Sequence, residues 1–186
     1  MRRREFVTLL GGTAVGWPLA AYAQQPANIA RIGFLGPASA SSWADRLEAF
    51  RVSLRDLGYV EGQNIVIDSR WADEKYNRLP ELAAELVDHK VDVIVTYGTP
   101  GTLAAMRATK TIPIIMAYSG DALSAGLVTS LARPGGNVTG STYFLSELMA
   151  KRLELLKAAM PQITKAAVLV NPGNPLFDTT RHSGLS

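Results

Sequence analysis

The sequence predicts an α/β protein, a parallel sheet flanked by helices, and three observations carry that prediction. Apolar runs of about five residues alternate with longer stretches of helical period. The runs are rich in β-branched side chains and read as strands covered on both faces. Most runs end in Gly, Ser, Thr or Pro just before a new helical stretch, and right-handed crossovers then place every strand-to-helix loop on one edge of the sheet.

The stretch RIGFLGPASASSWADRLEAFRVSLRDL, residues 31–57, sets the pattern. Ile32 to Leu35 form a buried strand that stops at Gly36-Pro37, and Ala38 to Ser42 form a small-residue loop. Ser42 and Asp45 have the form of a capping box, after which Trp43, Leu47, Phe50, Leu54 and Leu57 recur on one helical face. Residues 58–64 connect to a second strand from Ile65 to Ser69 that ends near Arg70-Trp71. A second helix starts around Asn77, tolerates Pro80 in its first turn, and buries Leu79, Leu82, Ala83 and Leu86. Val91 to Thr96 is the third strand; Thr99 as N-cap with Pro100 opens a short helix through Leu103 and Met106; Ile112 to Ala117 is the fourth strand.

Beyond Asp121 the sequence predicts a short helical stretch through Leu131, a turn at 133–137, and an extended exit from the sheet over Val138 to Thr142. A new helix from Ser146-Glu147 places Met149, Leu153, Leu156 and Met160 on one face, and Ala166 to Val170 reads as a strand stopping at Asn171-Pro172. That last helix and strand are too little to make a domain alone.

Three loops converge on the shared edge: Gly36 to Ser42, Tyr97 to Thr99 and Tyr118 to Asp121. They bring small residues, hydroxyls, two tyrosine rings, one carboxylate and free helix N-terminal amides. That set suits an organic ligand with a carboxylate and an apolar or aromatic body. Each feature also has a plainer reading. The serines can simply cap a helix, and the tyrosines can complete a core with wet hydroxyls. Asp121 can face a ligand ammonium or cap the stretch after it.

Composition narrows the classes. The chain has 186 residues and no cysteine, so disulfides, thiol nucleophiles and thiolate metal sites are excluded. Residues 1–23 read as an export signal: Arg2-Arg3-Arg4, a glycine-interrupted apolar middle, and Ala21-Tyr22-Ala23 for cleavage. Arg3-Arg4-Glu5-Phe6-Val7 has twin-arginine form, with general export left open. The signal predicts a periplasmic protein. Without residues 1–23 the net charge of +3 falls to +1, which gives nucleic-acid binding no footing.

Taken together, the RRREF leader, IGFLG, LRDLGYVEGQNIVIDSRWADEKYNRLPELAAELV, VDVIVTYGTP, TIPIIMAYSGDALSAGLVTSLARPGGNVTGSTYF, KRLELLKAAMP and AVLVNPGNP resemble the periplasmic substrate-binding proteins of ABC transporters, of the tryptophan/tyrosine type. The resemblance covers nearly all of residues 2–175 and implies a type 1 periplasmic-binding fold, with a small molecule held between two lobes that dock on an inner-membrane permease. It implies that 24–142 form the first lobe, 143–175 the start of the second, and 176–186 an atypical tail. It also places Gly36, Ser39, Ser41, Gly98, Thr99, Ser119, Gly120 and Asp121 on the cleft wall of the first lobe, with Asn171 facing them from the second. Such proteins are longer, so the chain is expected to be truncated within its second lobe.

The expected function is therefore binding of an amino acid or related small organic carboxylate, by a monomer without cofactor or catalysis. Enzyme motifs support no other choice: Gly33-x-x-Gly36 lacks the dinucleotide-loop spacing, and no GxxxxGK[ST] occurs. His89 and His182 read as solvated surface histidines, and Glu81, Glu85 and Asp88 as a wetted helix face. The alternatives are an exported serine hydrolase using Ser39, Ser41 or Ser119, which has no G-x-S-x-G elbow, or a fragment without function.

Overall fold

A computed structural model describes residues 29–143, 145–167, 169 and 171. Within them β1 (Ala30–Gly36), β2 (Ile65–Trp71), β3 (Val93–Thr96), β4 (Ile114–Ser119) and β5 (Val138–Thr142) form one sheet in the order β2-β1-β3-β4-β5. Every neighbouring pair is parallel. Helices α1 (Ala44–Asp56), α2 (Leu79–Asp88) and α3 (Gly98–Ala108) provide the crossovers, and α4 (Leu145–Ala159) follows β5. This is the α/β class the sequence predicts. The signal expected over 1–23 and the tail 176–186 lie outside the described residues.

The chain runs from β1 outward to the edge strand β2, then returns to β3 on the other side of β1. That reversal between β1 and β3 creates a switch point, where the loops leaving two strands diverge and a crevice forms. One face of the sheet is covered by α2, α3 and the segment carrying Ala122, Leu127 and Val128. The four α2 residues expected inside, Leu79, Leu82, Ala83 and Leu86, are all buried, and with Leu35, Ile94 and Ile114 they make the larger core. Each fully buried Leu or Ile contributes about 1.5–3 kcal/mol. The other face is covered by α1, whose Leu47, Phe50 and Leu54 pack on Ile32, Phe34 and Val95. Leu57, expected on the same stripe, is 74% exposed, because α1 ends at Asp56 and the chain turns away at Gly58, φ +87°.

Four expectations are corrected. The segment 122–131 is a run of turns rather than a helix, broken by Gly126 at φ +67°. Val138–Thr142 does not leave the sheet. It is the edge strand β5, started by the Asn137 side chain, which donates to the Ile112 carbonyl at 2.7 Å. Close pairing there requires Gly140: at φ +140° a Cβ would sit 1.9 Å from the Met116 carbonyl oxygen. Thr99 is not the N-cap of α3, which begins one residue earlier at Gly98. Finally, the described residues from 163 onward form no strand, and Leu169 is 100% exposed. A strand is held by its ladder of hydrogen bonds, and no described neighbour offers one.

Candidate functional site

The expected convergence of loops is present. The segments after β1, β3 and β4 lie along one edge, since β1, β3 and β4 are parallel neighbours. Backbone bonds from Ala72 N–H to the Gly36 carbonyl (2.8 Å) and Glu74 N–H to the Pro37 carbonyl (2.9 Å) tie the loop after β2 to the same edge.

The candidate residues divide into a buried layer and a rim. Gly36 is buried, and a Cβ there would meet the Trp71 ring at 2.1 Å, so the glycine makes room for tryptophan. Thr99 and Ser119 are buried with their hydroxyls 3.3 Å apart, each satisfying the other. The start of α3 is likewise covered: Thr99, Pro100, Gly101 and Thr102 are buried, and a Cβ on Gly101 would come within 3.2 Å of Pro37. The free amides expected at that helix start are therefore not exposed.

Ser41 is exposed on the rim, and Ser39, Gly98, Gly120 and Asp121 are half-buried. Ser39 Oγ accepts from the Ser42 amide at 3.3 Å, while Ser42 Oγ donates back to the Ser39 carbonyl at 2.9 Å. These bonds close the turn before α1, whose N-cap is Trp43 with no side-chain cap, so the capping box the sequence suggested does not form. Asp121 Oδ1 accepts from the Leu123 and Ser124 amides, both at 3.1 Å, and Oδ2 accepts from the Ser124 hydroxyl at 2.6 Å. The Ser124 hydroxyl bond leads in holding its carboxyl below the usual range, against the opposing effect of burial. Asp121 is a turn cap, although the turn does not continue as a helix. Asn171 is exposed in an irregular stretch.

Thr142 at the end of β5 fastens the third loop. Its hydroxyl donates to the Gly120 carbonyl at 2.6 Å and accepts the Ala122 amide at 2.9 Å. Tyr143 N–H adds a bond to the Ser119 carbonyl at 3.0 Å.

Aromatic rings build the wall behind these loops. Trp43 and Tyr97 stack with centroids 3.5 Å apart at 15°, Tyr118 lies 6.1 Å from Trp43 at 18°, and Tyr143 lies 5.9 Å from Tyr118. Tyr97 is 5% exposed and its hydroxyl accepts the Ala38 amide at 3.1 Å, so it is engaged with the first loop instead of wet. Burial pushes its pKa up to about 12. Tyr118 is half-buried and Tyr143 53% exposed, so the wall opens toward solvent at its outer end. The Arg46 guanidinium lies over Trp43, 5.3 Å from the ring centroid. Sequence reasoning missed Trp43, Arg46 and Tyr143. Helical period placed Trp43 on the core side of α1, but only its position directly after the serine loop signals the edge.

Among the described residues, no group of acids or histidines is arranged to hold a metal. His89 is not simply solvated. Its Nδ1 lies 2.6 Å from Asp68 Oδ2, and Arg70 links Asp68 to Glu85. This network sits where α2 returns the chain to the start of β3, away from the serine-bearing edge, so His89 is not placed to activate those serines.

Comparison with known proteins agrees with this arrangement. A family model described as ABC transporter substrate binding protein matches residues 32–179. A tyrosine-binding protein of Clostridioides difficile is 42% identical over 124 residues, 67% of this chain and 35% of its own length. Among solved structures, a conserved domain protein from Vibrio cholerae O1 biovar eltor has a TM-score of 0.70 at 29% identity, covering 82% of this chain and 52% of that one. An ABC domain from Streptococcus pneumonia in complex with L-Trp has a TM-score of 0.61 at 32% identity, covering 71% and 44%. A ligand-free, open substrate binding protein with adhesive properties from Clostridium difficile has a TM-score of 0.63 at 31% identity, covering 82% and 51%. The chain thus spans about a third of the curated relative and about half of the solved structures it matches.

Proposed function

We propose a function from the premise that the chain belongs to the family of ABC transporter substrate-binding proteins. It binds an aromatic amino acid of the tryptophan or tyrosine kind at the edge of the sheet where β1, β3 and β4 end. The observation that carries this reading is the aromatic wall of Trp43, Tyr97, Tyr118 and Tyr143 on the same edge as the three small-residue loops. An aromatic ring stacks well in offset or tilted geometry against such a wall. The relatives that bind tyrosine and L-Trp support the same ligand class.

In this reading Ser39, Ser41, Gly98, Gly120 and Asp121 form the rim that meets the ligand, while Gly36, Thr99 and Ser119 shape the layer beneath it. Residues 24–142 are the first lobe and residues from 143 open the second, which brings Asn171 to the ligand from the far side. The protein works in the periplasm after export, hands its ligand to an ABC permease in the inner membrane, and makes or breaks no bond. Calorimetry of the full chain against L-tryptophan, L-tyrosine and L-leucine tests the ligand class. Binding of the aromatic pair with L-leucine much weaker is expected. No heat with either aromatic, or an equal response to L-leucine, overturns it.

A further inference from the structure

Arg46 differs from the other arginines of α1, where Arg51 pairs with Glu61 and Arg55 with Glu48. Arg46 forms no ion pair among the described residues. Arg46 is exposed and sits in the first turn of α1, where the helix dipole disfavours a cation. The guanidinium lies over Trp43, and its charge acts on the hydroxyls of both Tyr97 and Tyr118. A cation held unpaired, at an unfavourable helix position and beside an aromatic wall, breaks a local rule in the way functional positions do.

We propose that Arg46 is the specificity-determining residue for the ligand's carboxylate: the guanidinium over Trp43 binds the carboxylate of an aromatic amino acid whose ring lies against the wall. This rests on the reading of the site given above. The guanidinium fork matches a carboxylate in two parallel hydrogen bonds, and closing the edge with a ligand removes the water that would screen them. The covered start of α3 offers no exposed run of amides to do the same work.

The test is calorimetry of the full chain and of Arg46→Gln and Arg46→Lys with L-tryptophan and L-tryptophanamide, which differ only at the carboxylate. The wild type is expected to prefer L-tryptophan by about tenfold, the worth of one charge-assisted hydrogen bond. In Arg46→Gln that preference collapses through weaker L-tryptophan binding, while L-tryptophanamide stays within about twofold. Arg46→Lys keeps the charge without the fork and falls between the two. Unchanged L-tryptophan binding in Arg46→Gln overturns the proposal and leaves the site intact. Equal loss of both ligands also overturns it, because Arg46 would then act by propping Trp43. Failure of the wild type to bind either compound overturns the reading of the site itself.

Discussion

Residues 30–142 and residues 145–171 carry the same kind of sequence, apolar runs beside amphipathic helical stretches, yet they end in different states. In the first region every helix lays its stripe on a sheet: Leu79, Leu82, Ala83 and Leu86 of α2 are all buried. In the second, α4 forms but Leu153, Leu155 and Met160 are exposed, and the apolar run after it makes no strand among the described residues. Helical period is a property of the segment, whereas burial and strand pairing belong to the segment and its partner together. Among the described residues the second region thus shows helical period without the burial and strand pairing that accompany it in the first.

The sharpest break between the regions is energetic. Ile94→Ala, at a fully buried position of β3, is expected to cost about 2–5 kcal/mol, whereas Leu155→Ala, 59% exposed on α4, shifts stability by under about 0.5 kcal/mol. Urea midpoints of the two variants check this, and equal losses would show α4 to be packed as tightly as the sheet. Next in size is Gly36→Ala. Its methyl meets the Trp71 ring, and the overpacking is expected to cost about 1–3 kcal/mol, again as a lowered urea midpoint.

Thr142 stands at the boundary between the regions, and Thr142→Val replaces its hydroxyl with a methyl. Losing the bonds to Gly120 and Ala122 is expected to cost about 1–2 kcal/mol and to speed amide exchange at Ala122. An exchange rate unchanged at Ala122 would show that the loop after β4 is held by something else.

The smallest effect is on the acid limb of stability. Burial alone would raise the Asp68 carboxyl, but the hydrogen bond from His89 and the charge of Arg70 override it and hold it below its usual 3.8. A carboxylate lowered in the folded state stabilises above its unfolded pKa, and that contribution disappears as pH falls through the folded one. Asp68→Asn is therefore expected to be less stable than wild type near neutral pH, with the gap narrowing below about pH 4. A gap that persists undiminished in acid would assign the loss to packing instead of charge.

Much of the first region was legible because its signals are local. Gly36-Pro37 ends β1, the Leu79-to-Leu86 spacing marks a buried stripe, and the strand–helix alternation implies that the loops after β1, β3 and β4 share an edge. The misses are of another kind. Trp43 reads as core by period, and only the fold shows it stacked on Tyr97, 54 residues away in sequence. His89 meets Asp68 across a separation of 21 residues, which no spacing rule links. Gly36, Thr99 and Ser119 are a different case: small and hydroxyl residues crowd ligand loops, and the same chemistry serves close packing against Trp71 and mutual hydrogen bonding beneath the surface.

The central claim is that ligand binds at the edge where β1, β3 and β4 end. Titrating the isotopically labelled full chain with L-tryptophan and following backbone amide shifts by NMR tests it directly. The account predicts that the perturbed amides cluster in Ser39 to Arg46, Tyr97 to Thr99, Tyr118 to Asp121 and Tyr143. Perturbations gathered instead around Arg51, Tyr59 and Ile65, which line a small cavity beside the end of α1, would contradict it.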